Sequence, residues 1–114
     1  RVRPGDTELA ASAWLAENSD ARTHRVAEQR ANAYGLHDMF GNAGEWCLAA
    51  DGTGVLRGAT YLTPRADVRY DTSAPDDPAW NRRDPQLPKS VWWLIDGGFA
   101  GFRVVCDDEP GSAR

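Results

Sequence analysis

The sequence predicts a loop-rich α+β domain built round a small antiparallel sheet, and three stretches carry that reading. Residues 35–46, GLHDMFGNAGEW, set Met39, Phe40 and Trp46 among three glycines, with Asp38 and Glu45 as carboxylates. That is too much glycine for a helix or strand interior and too much apolar mass for a solvated loop. The DGTG of 51–54 separates two short apolar runs. Asp-Gly favours the positive φ of a hairpin reversal. The interval 63–90 holds five of the seven prolines. Proline removes ladder donors and fixes φ, so this interval runs as a long irregular excursion.

In chain order, TELAASAWLAEN at 7–18 is helical on propensity, with Thr7 as its cap. Trp14 and Leu15 have no partner stripe at the helical period. NSDART at 18–23 is a turn, and RVAEQRANAYG at 25–35 is polar up to the glycine that opens the motif. EWCLAA at 45–50 is a short strand with Trp46 and Leu48 on one face, and VLRGATYL at 55–62 is its hairpin partner. Gly58 inside the second strand marks a bulge or a close backbone approach. Tyr70, Trp80 and Leu87 make the proline-rich excursion an ordered one. GFRVVC at 101–106 alternates Phe102, Val104 and Cys106 with Arg103 and Val105, the pattern of a last strand with one buried face. Residues 1–106 form the domain and 107–114 a frayed tail.

The chain has 114 residues, enough for one domain with a modest core that five tryptophans help to fill. The net charge is −4, and Lys89 is the only lysine. With the arginines scattered, nothing here attracts a phosphate backbone, so nucleic acid is excluded as a partner. Arg82 and Arg83 read as a solvated surface. No apolar run approaches the roughly 20 residues that span a bilayer, so no membrane partner is expected. The sequence begins without Met, so targeting and compartment stay open. Cys47 and Cys106 are too few for a disulfide scaffold, and no CxxC or Cys/His cluster suggests zinc. Whether the two thiols pair is left open.

Three separated pieces share an order: NAYGLHDMFGNAGEW at 32–46, VLRGATY at 55–61 and GFRVV at 101–105. Together they resemble the signature blocks of the formylglycine-generating enzyme, or sulfatase-modifying factor, family. Those blocks read N-x-x-G-L-x-D-M-x-G-N-x-x-E-W, then V-x-R-G-G-S-[WY], then G-F-R. The stretch 84–105 also looks like a bacterial branch of that family. The resemblance covers roughly residues 12–106 and implies a variant of the C-type-lectin-like fold. The family domain is longer, and this chain resembles its C-terminal part; the block R-L-P-T-E-A-E-W-E is absent from the sequence. Association with an N-terminal half or with a second chain is therefore an expectation.

In the family this loop wraps a calcium ion. The resemblance places calcium ligands at the side chains of Asp38 and Glu45 and at the carbonyls of Gly41 and Ala43. Calcium accepts six to eight oxygens of these kinds from an irregular loop. On the residues alone, a turn-capping Asp38 and a Glu45 paired with Arg57 or Arg103 is the competing reading. The family's oxidase chemistry uses copper(I) on two thiolates just downstream of the second block. Thr63 and Val68 stand where those cysteines would align, and neither residue can hold copper. Copper is therefore not expected unless Cys47 and Cys106 replace the pair.

The histidines, His24 and His37, form no iron-binding triad, and Asp76-Asp77 lacks the sugar-binding triplets of true C-type lectins. Arg65, Arg69, Tyr70, Trp80, Trp92 and Trp93 are candidates for a binding surface on the long loop, since Arg and aromatic residues are enriched at binding hot spots. The leading expectation is a non-catalytic, calcium-stabilised binding or structural module that meets a peptide or protein partner. The alternative is an active oxidase converting a sulfatase cysteine to formylglycine. A further alternative is a retroelement-diversified ligand-display protein. Against it, Asn81 is the only asparagine after residue 42.

Overall fold

A computed structural model describes residues 3–81, 85–87 and 97–106. Trp92, Trp93 and the expected tail at 107–114 lie outside the described residues. Among the described residues one short α-helix precedes a four-stranded sheet, and long irregular segments join them. The helix α1 covers Asp6–Ser12, and the strands are β1 (Gly44–Leu48), β2 (Gly54–Arg57), β3 (Ser73–Pro75) and β4 (Ala100–Gly101). Their order across the sheet is β3-β2-β1-β4.

α1 stops at Ser12, whereas propensity extends it to residue 18. Leu9 and Leu15 are both buried in the core, at 0% and 1% exposure. On a continuous helix these two, six positions apart, would point about 120° apart. The chain instead turns extended at Ala13, with φ −133° and ψ 142°, and both leucines reach the same cluster. Asn18 secures the bend: its Oδ1 accepts the Leu15 N–H at 2.8 Å and its Nδ2 donates to the Ala13 carbonyl at 2.9 Å. The N-cap position is Gly5, not Thr7.

The hairpin forms where DGTG places it. β1 and β2 pair antiparallel, with Glu45 opposite Arg57 and Leu48 opposite Gly54. In the turn, Asp51 Oδ1 accepts the Thr53 hydroxyl at 2.6 Å and its N–H at 3.0 Å, and Gly52 takes φ +83°. The hydroxyl, followed by the N–H, holds the Asp51 carboxyl below its ordinary value of 3.8. A carboxyl depressed in the folded state adds stability above its unfolded value, and that contribution disappears as pH falls through the folded value. Thr53→Ala is expected to move the Asp51 titration up towards 3.8, read by NMR of the side-chain carboxyl. An unchanged titration would contradict this account of the turn.

β2 ends at Arg57, short of the expected residue 62. Gly58 adopts φ +89° and donates its N–H to the Thr72 carbonyl, so the chain leaves the sheet there rather than bulging within it. This exit drops Ala59 into the core beside Leu9, Ala13, Leu15 and Val68, with Phe40 packed against the cluster. Within the excursion, β3 pairs antiparallel with β2, and Pro75 is tolerated because β3 is an edge strand.

The last strand differs most from expectation. β4 is two residues long and pairs parallel with β1, Gly44 opposite Ala100 and Glu45 opposite Gly101, so the sheet is mixed. Phe102 and Val104 are 81% and 80% exposed, and Cys106 is exposed too. After Gly101 the side chain of Arg103 reaches the Glu45 carboxylate and the His37 carbonyl, and the chain no longer follows the ladder. Leu48 is also exposed, at 80%, and does not share a buried face with Trp46. Cys47 is an exposed free thiol. No helix among the described residues is long and apolar enough to cross a membrane.

Candidate functional site

The stretch 38–45 is a loop whose backbone is set by residues on both sides of it. Asp38 has φ +57° and Asn42 φ +66°, a left-handed conformation that Asp and Asn tolerate better than most residues. Gly41 is buried against Trp14: a Cβ at this position would overlap the Trp14 carbonyl oxygen and lie 2.9 Å from the Trp14 carbonyl carbon and nitrogen. Asn42 is 6% exposed and ties three segments together. Its backbone N–H donates to the Trp14 carbonyl at 2.8 Å and its carbonyl accepts the Tyr61 N–H at 2.9 Å. Its side chain holds the His24 backbone from both sides, accepting the N–H at 2.8 Å and donating to the carbonyl at 3.0 Å. The His24 ring then stacks on Trp14, with centroids 3.8 Å apart and an interplanar angle of 11°.

The rings of the motif anchor it as expected from their apolar mass. Phe40 meets Tyr70 edge-on at 5.6 Å, and Trp46 meets Trp80 at 5.8 Å, which in turn meets Phe99 at 5.2 Å. Such edge-to-face pairs lie in the favoured geometry for aromatic quadrupoles.

The two carboxylates share one region. Asp38, Ala43 and Glu45 line a cleft of about 440 Å³ with Val26, Phe102 and Arg103, and the same three residues line a smaller one of about 150 Å³ with Arg57 and Tyr70. Asp38 Oδ2 accepts the Ala27 N–H at 2.9 Å, while Asp38 Oδ1 is buried and has no hydrogen-bond partner among the described residues. Glu45 Oε1 receives Nε and a terminal nitrogen of Arg103 at 2.9 and 2.7 Å, and that terminal nitrogen also donates to the His37 carbonyl at 2.8 Å. The hydrogen bond to Glu45 raises the pKa of Arg103 despite partial burial, with smaller contributions from the Glu45 and Asp38 charges. Arg103 is therefore a fixed cation at the motif, and the Glu45–Arg103 pairing is one of the two that the residues alone allowed.

The calcium ligand set fits this geometry in part. Asp38, Ala43 and Glu45 converge, and an orphaned buried carboxylate oxygen is what a cation site needs. Gly41 lines neither cavity, and one Glu45 oxygen is occupied by Arg103. No group of three or more His, Cys, Asp or Glu side chains among the described residues is arranged to hold a metal ion.

The positions aligned with the copper thiolates are structural. Thr63 closes a turn with Thr60: its Oγ1 accepts the Thr60 N–H at 3.0 Å and its own N–H donates to the Thr60 carbonyl at 3.0 Å. Val68 is 0% exposed and belongs to the core cluster.

The four described residues expected at a binding surface each make contacts within the chain. Arg65 lies near α1, where its N–H donates to Glu17 at 2.8 Å and its carbonyl accepts Arg3 at 2.9 Å. Arg69 folds back onto the carbonyls of Ala66 and Val68 at 2.7 and 2.8 Å. Tyr70 packs on Phe40, and Trp80 belongs to the ring ladder with Trp46 and Phe99. Sequence reasoning missed Asn42, Val26 and Phe102. For Asn42 the available signal was an asparagine after glycine in a turn-rich stretch, a residue suited to positive φ.

A family model described as the sulfatase-modifying factor enzyme 1-like domain matches residues 4–107. The chain belongs to the sulfatase-modifying factor family. Among solved structures, this sulfatase-modifying-factor domain is similar to Treponema denticola variable protein 1, with a TM-score of 0.62 and 24% identity. The similarity covers 86% of this chain and 37% of that one, so the domain spans little more than a third of its structural relative. At that identity the likeness establishes the shared C-type-lectin-like α+β fold. No curated protein matches the sequence.

Proposed function

We propose that this sulfatase-modifying-factor domain is a non-catalytic binding module whose recognition site is the cleft beside the motif loop. One observation carries the reading. Where the family's copper-binding thiolates align, the chain has a turn-closing Thr63 and a core Val68, and neither supplies the soft ligand that copper(I) requires. The cleft supports it: about 440 Å³ lies within the range of roughly 300–1,000 Å³ typical of ligand sites. The structural relative is called a variable protein, a name compatible with recognition by a common scaffold. In an oxygen-electrode assay with copper(I) and a Cys-x-Pro-x-Arg peptide, no peptide-dependent oxygen uptake is expected. Uptake abolished by Cys47→Ser or Cys106→Ser would establish the oxidase instead.

Calcium is a second reading at the same loop, favoured by the buried, unpartnered Asp38 Oδ1. Asp38, Ala43 and Glu45 would hold the ion, and its chemistry would be structural, fixing the loop by coordination. Calcium binding only to the folded state raises the melting temperature, with an increment that grows as the logarithm of its concentration. A scanning-calorimetry series in calcium and magnesium tests this, and a midpoint indifferent to calcium removes the reading.

A further inference from the structure

Two unpaired lengths of strand-like chain flank the end of β4. The first is the far half of β1. β4 pairs with β1 only at Gly44 and Glu45. The Gly44 N–H donates to the Phe99 carbonyl at 2.7 Å, so the even-numbered residues of β1 turn their peptide groups towards β4. Leu48 belongs to that set, but β4 ends before reaching it, and its N–H and carbonyl have no backbone partner among the described residues. The second is the chain just after β4. Phe102, Arg103, Val104 and Val105 make no backbone hydrogen bond among the described residues. The side chains of Phe102, Val104 and Val105 are exposed, although Phe and Val favour strands and pack poorly in water.

We propose that two copies of this chain pair through these lengths, residues 102–105 of each adding a strand to the open Trp46–Leu48 edge of the other. Three features select a second copy. An edge with unmet peptide groups is a template for another strand, and this chain carries both the edge and a strand that lacks a ladder. It does not join the two within itself, because Arg103 is held by the Glu45 carboxylate and the His37 carbonyl and the run leaves the sheet there. Their faces also match. Trp46 and Leu48 share one face of β1, and Phe102 and Val104 share one face of the run by alternation, so a single register places four apolar side chains together. The exchange is reciprocal, and a two-fold contact leaves neither edge open to a third copy. Two four-residue strands bury little area, so the dimer is weak and its formation depends on concentration.

Sedimentation velocity of the full chain over a concentration series, in reducing buffer because Cys47 is exposed, tests this. The mass is expected to rise from 12.5 kDa towards twice that value and to stop there. Val104→Pro removes a strand N–H, and Leu48→Lys puts a charge on the receiving edge. Both positions are exposed, so both variants keep the urea midpoint of the dilute chain. Each is expected to raise the dimer dissociation constant at least tenfold. An equimolar mixture of the two associates more tightly than either alone, because one of its two contacts carries neither substitution. A chain that stays monomeric at every concentration overturns the proposal, and so does a mass that climbs past the dimer. A dimer indifferent to either variant, or a mixture no tighter than its components, overturns it as well.

Discussion

Gly41→Ala is expected to destabilise the domain by at least about 3 kcal/mol, at or beyond the upper end of the overpacking range. The added Cβ meets the backbone of Trp14, whose carbonyl carbon and nitrogen would lie 2.9 Å away. A clashing side chain can rotate away, but a backbone carbonyl moves only with its segment. Trp14 is joined to this loop by the Asn42 N–H and to His24 by ring stacking, and it follows Ala13 of the core. Relief of the overlap must therefore break the hydrogen bond at 2.8 Å or displace the Leu9–Leu15 cluster. Urea denaturation measures the loss, and a midpoint within 0.5 kcal/mol of the parent, the ordinary range for a neutral surface change, would show that the loop does not abut Trp14.

Asn42→Ala is expected to cost about 3 kcal/mol, by a different route. Two hydrogen bonds to the His24 backbone are lost, and a part-buried N–H and carbonyl are left without partners, each costing about 1 kcal/mol. Alanine at φ +66° adds strain of roughly 1 kcal/mol that asparagine largely avoids. Asn42→Asp separates the contributions: it keeps the acceptor for the His24 N–H and tolerates the backbone angle, but loses the donor to the His24 carbonyl. The aspartate variant should fall between alanine and the parent in denaturant midpoint. Because His24 stacks on Trp14, tryptophan fluorescence should change in both variants before global unfolding. Equal stability of Asn42→Ala and the parent would remove the clamp from the account.

The local chemistry of the fold was legible in the sequence. Asp-Gly in DGTG set the hairpin, because its turn geometry depends on adjacent residues alone. The apolar mass around the motif glycines is only partly packed: Phe40 lies against the core cluster and Trp46 meets Trp80 edge-on, whereas Met39 stays 38% exposed. What failed depended on distant partners. Helix propensity ran past Ser12 because it does not see that Leu9 and Leu15 share a core. Alternation at 101–106 read as a half-buried strand, yet Arg103 is drawn to Glu45 and the apolar side chains around it stay exposed. At the site, Asp38 and Glu45 line one cleft, and Arg103 was among the foreseen partners of Glu45. The Asn42 clamp joins residues with no periodic relation, 18 positions apart, so no pattern announces it.

The parallel pairing of β1 with β4 has a kinetic consequence. Gly44 and Glu45 meet Ala100 and Gly101 only after the chain has travelled out through the excursion and back. The entropy lost in closing so large a loop comes before the few contacts it yields, whereas the 45–57 hairpin closes over a short distance. The hairpin should zip in microseconds, with β4 docking in the slow phase that completes the sheet. Time-resolved hydrogen-exchange labelling would then protect the amides of β2 well before that of Gly44, which donates to Phe99.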